Sequence, residues 1–257
     1  MTMLGIDRAE RVRVANGLSA MGHPPGGAID PGRVAELVRE TAHALGHFRS
    51  LAQSRRAHPG SDLMSLLCTV TDDGRPLDDD EIVDYAVNLC LGGFDTTASA
   101  LTYSFLFLSE NASVRRRLVA DLSLIPDFTE EIMRFEQPSK GLARTVLANV
   151  ELSGVRLSPG DRILLLFAAG NRDPDAFAEP DRFILGRAPN RHLGSGAGPH
   201  VCVGIHIARL EMKVVLEEFL GRIPDFHIDP DSVVETPGTT FVVSAMRATW
   251  TPPRPRG

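Results

Sequence analysis

Residues 91–97 read LGGFDTT, and they lie inside an apolar run that extends over 86–108. The spacing predicts one long helix from about 79 to 109, well above the average helix length. Asp78 followed by Glu81 forms a capping-box start just ahead of it. Gly92 and Gly93 fall in the middle, where each glycine costs up to about 1 kcal/mol. That cost calls for a close approach or a bend, made either by a packed neighbouring helix or by a flat ligand against the backbone. Asp95 and Thr96 are an acid and a hydroxyl in an otherwise apolar segment. They are either satisfied side chains, with Thr96 bonding back one turn, or a proton relay in which the carboxylate passes protons and the hydroxyl holds water or bound oxygen. The run is long enough to cross a bilayer. However, it carries Asn88, Asp95, Thr96, Thr97, Ser99, Thr102 and Ser104, and no Lys/Arg cluster flanks it. An intramembrane Asp is costly, so no membrane association is expected.

Working outward, helices are expected over 7–20 and 33–53, separated by the Pro- and Gly-dense loop 21–32, with a short helix over 63–70 and a turn at TDDGRP (71–76). On the other side, 127–136 reads as a helix stopped before Pro138. Residues 144–167 alternate, with turn signals at Ser153-Gly154 and Pro159-Gly160, and read as β-hairpin structure. The stretch 168–200 is irregular and too long for a passive connector. A final helix is expected over 203–221, and a last hairpin over 233–250 around Pro237-Gly238. The fold class is mainly α with a minor β part.

The chain has 257 residues, 43% of them hydrophobic and 23% charged, so global disorder is excluded. At about 150 residues per domain this makes one large domain or two small ones, and a single domain over 1–257 is expected. The net charge of −6 gives no electrostatic footprint for nucleic acid. Three cysteines cannot build a disulfide framework and suit a reducing compartment. The N-terminal MTMLGIDRAERVRV lacks the apolar run of a signal peptide. Together these point to the cytoplasm.

GAGPHVCVG (196–204) places Cys202 after a glycine-rich loop and at the mouth of a helix. A thiolate there accepts backbone N–H bonds and meets the positive end of the helix dipole. Glycines at 196, 198 and 204 let a broad flat group reach the sulfur. This suits a metal-ligating cysteine, and haem iron takes a thiolate where oxygen–oxygen cleavage is wanted. Three other readings stay open. GSGAG (194–198) resembles a dinucleotide loop, but no strand precedes it and Pro199 and His200 interrupt it. His200, Cys202 and His206 have partial zinc spacing but lack a fourth ligand. Cys202 can also be a buried structural cysteine, which is the reading for Cys68 and Cys90. Glu131 and Arg134 form an i, i+3 pair, ordinarily a solvated face.

In this order LGGFDTT, EEIMR (130–134), NRDPDAFAEPDRF (171–183) and GAGPHVCVG resemble the cytochrome P-450 family of haem-thiolate enzymes, over nearly all of the chain. The resemblance implies the C-terminal portion of that fold, with a long central helix plus β hairpins. It implies Cys202 as the axial ligand of heme b, and Gly93, Asp95 and Thr96 as the oxygen-activating stretch. Glu131 and Arg134 would be a buried ion pair with Arg182 as third member. Arg144 and His200 would bind the haem propionates, and Gly196 and Gly204 would lie against the cofactor. Gly92, the stretch after Arg144 and the hairpin tip of Thr239, Thr240 and Phe241 would contact substrate, and the loop 21–32 would join two lid helices.

The implied activity is insertion of one oxygen atom from O2 into a small apolar organic substrate, with electrons from a ferredoxin/ferredoxin reductase-type donor. Arg187, Arg191, Arg209 and Lys213 make the cysteine-loop region basic, which suits docking of an acidic partner or, equally, a mixed solvated surface. Two departures stand out. Ser195 occupies the place of the family's usual Phe, which leaves the sulfur more open to water. The family's N-terminal helices, most of its main sheet and an arginine for the propionates have no counterpart here, so an exposed haem edge and exposed apolar helix faces are expected. The alternative is a truncated, catalytically impaired haem-binding or partner protein that keeps the fold's C-terminal half.

Overall fold

Backbone caps and close-approach glycines decide where the chain winds, beginning in the first of two units. The computed structural model describes residues 2–22, 30–236, 238 and 240–251. The chain divides into two compact units, Met1–Phe94 and Asp95–Gly257. In the first, α1 (Arg11–Gly22) packs on α2 (Pro31–Ala57). A Cβ at Gly17 would lie 2.4 Å from the Glu40 carbonyl oxygen, so only glycine permits that approach. Asp30 caps α2 by accepting from the Arg33 amide, with Pro31 at the first helical position. Asp62 caps α3 (Leu63–Leu67) in the same way through Ser65. The expected turn at 71–76 is a two-stranded hairpin of β1 (Thr71–Asp72) and β2 (Arg75–Pro76), turning through Asp73 and Gly74, both with positive φ. The core of this unit includes Ile6, Val14, Phe48, Met64 and Ile82. The loop residues 23–29, expected to join two lid helices, lie outside the described residues.

Helix α4 (Asp79–Glu110) begins in the first unit and ends in the second. Its start is the expected capping box: the Glu81 amide donates to Asp78 Oδ1 at 2.9 Å, and the Asp78 amide donates to Glu81 Oε2 at 2.8 Å. Thr102 and Ser104 donate to the carbonyls of Ala98 and Ala100, which satisfies hydroxyls in an apolar helix without breaking it. Among the described residues no helix is long and apolar enough to cross a membrane.

The second unit adds α5 (Ala112–Ala120), which the sequence pattern does not announce, and α6 (Ile125–Phe135). Next comes a nested pair of hairpins. β3 (Leu142–Thr145) pairs antiparallel with β6 (Arg162–Leu165), and between them β4 (Val150–Leu152) pairs with β5 (Val155–Leu157) through Ser153-Gly154, both at positive φ. A short helix α7 (Phe167–Gly170) leads into coil that lasts to α8 (Ile205–Arg222), apart from a 3-10 turn at Gly198–His200. β7 (Phe226–Thr236) and β8 (Val242–Trp250) form the last hairpin, longer than expected and bulged between Asp229 and Val234. Its tip residues Pro237 and Thr239 lie outside the described residues. The core of this unit is aromatic. Phe183, from the coil, packs against Phe107 at a centroid distance of 4.2 Å and also meets Phe128 and Phe135. The irregular segment is thus anchored by this partly buried ring. The architecture is mainly α with a minor β part.

Candidate active site

Helix α6 builds the site outward from a buried ion pair. Arg134 and Glu131 have no exposed side-chain surface. All five guanidinium N–H groups of Arg134 are used. Nε and one Nη2 hydrogen go to the Glu131 carboxylate, both at 2.9 Å. The others go to the carbonyls of Asn171, Pro180 and Arg182 at 2.8–2.9 Å. Glu131 also accepts from the Ile184 amide, the Arg187 Nε and the Asn190 amide. Burial pushes the Glu131 carboxyl up; Arg134, the Ile184 amide and Arg187 outweigh it and hold the group below the usual carboxylate range.

The third member of the network is not the expected Arg182 side chain. That side chain is exposed and pairs with Glu179, and Arg182 joins the network only through its carbonyl. The third cation is Arg187, whose side chain is 6% exposed. Neighbouring Glu130, which sequence reasoning missed, is a second anion of this helix with partners on other elements. It takes Arg209 of α8 in a two-point ion pair, both bonds 2.7 Å, and His192 Nε2 lies 3.4 Å from it. The only signal was the doublet at 130–131.

These pairs also revise the basic docking surface. Arg187 and Arg209 are neutralised by Glu131 and Glu130, and Lys213 faces Glu217 at 3.5 Å.

Buried Asn171 carries the network to the cysteine loop. Its side chain donates to Gln137 and accepts from the Leu193 amide at 2.7 Å. The Gly196 amide then bonds to Leu193 O at 3.0 Å, and the Cys202 amide to Ser195 O at 2.8 Å. Cys202 is exposed, two residues before Gly204, the uncapped N-cap of α8. It is therefore not a buried structural cysteine. Cys90 is buried as expected, whereas Cys68 is half-buried with its sulfur on Ala52 O.

Gly196 needs a different account from the one expected. Its φ is +73°, and a Cβ there would lie 2.4 Å from His200 O, so this glycine closes the loop on itself rather than admitting a cofactor. Gly198 and Gly204 do leave open space: a Cβ at Gly198 meets nothing within 4 Å, and one at Gly204 meets only Cys202 Sγ, at 3.9 Å. The zinc reading fails, since no group of three or more His, Cys, Asp or Glu that could hold a metal occurs among the described residues. The dinucleotide reading fails because coil and not a strand leads into 194–198.

The donor chemistry around Cys202 suits a haem. A soft, accessible sulfur stands at an uncapped helix start, beside two glycines with room above them. Exposed Val201, Val203, Ile207 and Leu210 surround it in sequence. These residues fit a flat apolar disc with an iron at its centre.

The remaining candidates fall on three elements. Asp95 and Thr96 are half-buried on α4. Ser99, one turn beyond Asp95, is buried with no partner for its hydroxyl among the described residues, so a water or ligand atom can complete it. At Gly92 and Gly93 an added Cβ meets nothing within 4 Å among the described residues. Thr240 is buried, with its hydroxyl 3.5 Å from that of Ser139, and the Phe241 amide donates to Pro138 O. The structure thereby joins the last hairpin to the segment that precedes Arg144. Arg144 is half-buried on β3 and donates to Ala143 O, while His200 is exposed.

With this geometry in place, a family model described as Cytochrome P450 matches residues 34–248. The chain is 39% identical over 191 residues to cytochrome P450-terp of a Pseudomonas species, covering 74% of this chain and 45% of that protein. It is 36% identical over 226 residues to steroid C26-monooxygenase of Mycobacterium tuberculosis, covering 86% of this chain and 57% of that protein. Among solved structures, it resembles a mutant of P450 EryK in complex with erythromycin B, with a TM-score of 0.90 and 27% identity, over 100% of this chain and 67% of that one. It also resembles HmtN, a post-tailoring hydroxylase of himastatin biosynthesis, with a TM-score of 0.85 and 33% identity, over 97% and 65% of the two chains. The chain spans about half the length of the curated relatives it matches.

Proposed function

The chain belongs to the cytochrome P450 family, and from that premise we propose that it acts as a haem-thiolate monooxygenase on a small apolar organic substrate. The observation that carries this is the exposed Cys202 sulfur at the uncapped start of α8, beside the open space over Gly198 and Gly204. Cys202 would hold the group through its thiolate, and Arg144 and His200 would pair with the propionates. When bound, heme b supplies the binding and reductive activation of O2.

The residues of this chain do the rest. The Ser195 carbonyl fixes the Cys202 backbone by accepting its amide at 2.8 Å. The Asp95 carboxylate takes protons from the outside and passes them inward, and the Thr96 hydroxyl holds a proton at Oγ1 for the oxygen side. Thr240 and Phe241 contact the substrate. Relatives act on steroids and on methyl-branched lipids, which supports an apolar substrate class. Electrons come from an external ferredoxin/ferredoxin reductase-type donor in a reducing cytoplasm, which three free cysteines suit.

The test is an optical spectrum of the purified chain with haem, reduced under carbon monoxide. A Soret band at the thiolate position is expected, and Cys202→Ala removes it. A band that persists in that variant, or an imidazole-type band in the parent chain, overturns the assignment.

A further inference from the structure

We propose that Glu130 is a positioning residue for the Cys202 sulfur: a single carboxylate closes residues 192–209 into a ring and thereby sets where the cysteine stands. The proposal rests on the haem-thiolate reading above. Three observations on separate elements carry it.

First, Glu130 is bonded at both ends of one stretch of chain. Arg209, on α8, gives it two charge-assisted bonds of 2.7 Å, and His192, on the coil, approaches at 3.4 Å. Cys202 is threaded between those two anchors.

Second, the tautomer of His192 is fixed by its neighbour. The Gly194 amide donates to His192 Nδ1 at 3.0 Å, so Nδ1 is an acceptor and the proton sits on Nε2, facing Glu130. One imidazole therefore couples the carboxylate on α6 to the backbone of residue 194. His192 and Arg209 hold the Glu130 carboxyl down at about 2, so it stays anionic across the physiological range.

Third, the strap lies directly on α6. A Cβ at Gly194 would stand 2.7 Å from the Met133 carbonyl oxygen, and Met133 is one turn from Glu130 on the same helix face. From Gly194 the next residue is Ser195, whose carbonyl accepts the Cys202 amide at 2.8 Å. The path from carboxylate to sulfur-bearing backbone is then short: Glu130, His192, Gly194, Ser195, Cys202. On the other side, Arg209 fixes α8 from within, so its N-terminal turn cannot drift from the strap.

Glu130 and Glu131 divide the work. Glu131, fully buried, holds the coil at Ile184, Arg187 and Asn190. Glu130, half-exposed, holds the cysteine segment at its two ends. Loss of Glu131 endangers the fold, whereas loss of Glu130 loosens one loop. Partners that orient a metal ligand from behind typically matter by about 10- to 100-fold in affinity.

The experiment compares the parent chain with Glu130→Gln, His192→Ala and His192→Asn. The last keeps an acceptor for the Gly194 amide and loses only the donor to Glu130. Each is titrated with haem, and the reduced carbon-monoxide spectrum is split into thiolate-type and thiol-type bands. Hydrogen exchange at the Cys202 amide is followed in the chain without haem. Leu118→Ala, in the core of the second unit and not in the strap, serves as a control for general destabilisation.

The expected result is haem binding weakened by about 10-fold or more in Glu130→Gln and His192→Ala, a shift toward the thiol-type band, and faster exchange at the Cys202 amide. His192→Asn should fall between them and the parent. Leu118→Ala should lower the melting temperature and leave the band ratio alone. Parental band ratio and exchange in Glu130→Gln and His192→Ala overturn the proposal, as does an equal shift in Leu118→Ala. If the parent chain gives no thiolate band, the haem-thiolate reading fails. The ring is then judged on exchange alone: unchanged protection at Cys202 in the variants rejects it, and lost protection retains it. Where Glu130→Gln does not fold, His192→Asn decides the matter by the same two readouts.

Discussion

Arg134 spends every donor it has, and this makes it the least replaceable side chain in the second unit. A lysine offers three donors from a point charge, so Arg134→Lys cannot reach the Glu131 carboxylate and the carbonyls of Asn171, Pro180 and Arg182 together. Breaking a buried pair costs about 3–5 kcal/mol, and the stabilities of Arg134→Lys and of Glu131→Gln, measured by urea unfolding, should both fall by an amount in that range. A urea midpoint within error of the parent chain for either variant refutes this account. Residue roles were unevenly legible in the sequence. The i, i+3 spacing of Glu131 and Arg134 was visible because both sit on one turn of one helix. Their third partner was not, since Arg187 reaches Glu131 from aperiodic coil, where nothing in the sequence fixes which way a side chain faces. The same gap hid Glu130, whose partners lie in the coil and on α8.

Helix α4 was the most legible element, because its apolar run and its capping box agree, and both capping bonds form. The nested hairpins were legible through Ser153-Gly154, a dipeptide whose positive φ angles the turn requires. Helix α5 was not, because the stretch ASVRRRLVA places three consecutive arginines where a core-facing stripe would be sought; its burial rests on Leu118 and on Arg115, which donates to the Leu108 carbonyl. The glycine pair on α4 sharpens a prediction for this element. A methyl group at Gly93 meets nothing within 4 Å. Gly93→Ala should therefore stabilise the ligand-free chain by up to about 1 kcal/mol, read as a rise in melting temperature. If the space belongs to a flat ligand, the same variant should bind haem or an apolar substrate more weakly in an optical titration. Parental affinity together with higher stability shows the glycines to be dispensable for binding.

Across the whole molecule, carboxylates in both units are held below their ordinary range by cationic and amide partners. They are Glu10, Asp62, Asp79 and Glu81 in the first unit, and Glu130 and Glu131 in the second. A group depressed on folding contributes stability that is present above its unfolded pKa, about 4, and is lost as pH falls through the folded value. Glu136 acts the other way: burial pushes it up, so it costs stability near neutrality and relieves that cost on protonation. Six groups against one set the sign. Melting temperatures followed by circular dichroism should hold from pH 7 to about 5 and fall steadily between about pH 4 and pH 2. A flat profile down to pH 3 removes the ion pairs from the account of stability.

The passage from one unit to the other is wound rather than extended, because Phe94 and Asp95 are consecutive residues of α4. Proteases bind unwound substrate, so limited digestion will nick the surface loops well before it severs this junction. Anyone dissecting the protein by recombinant expression inherits the same difficulty. A fragment ending at 94 or beginning at 95 carries a ragged half-helix, with carbonyls or amides bereft of the turn that once answered them.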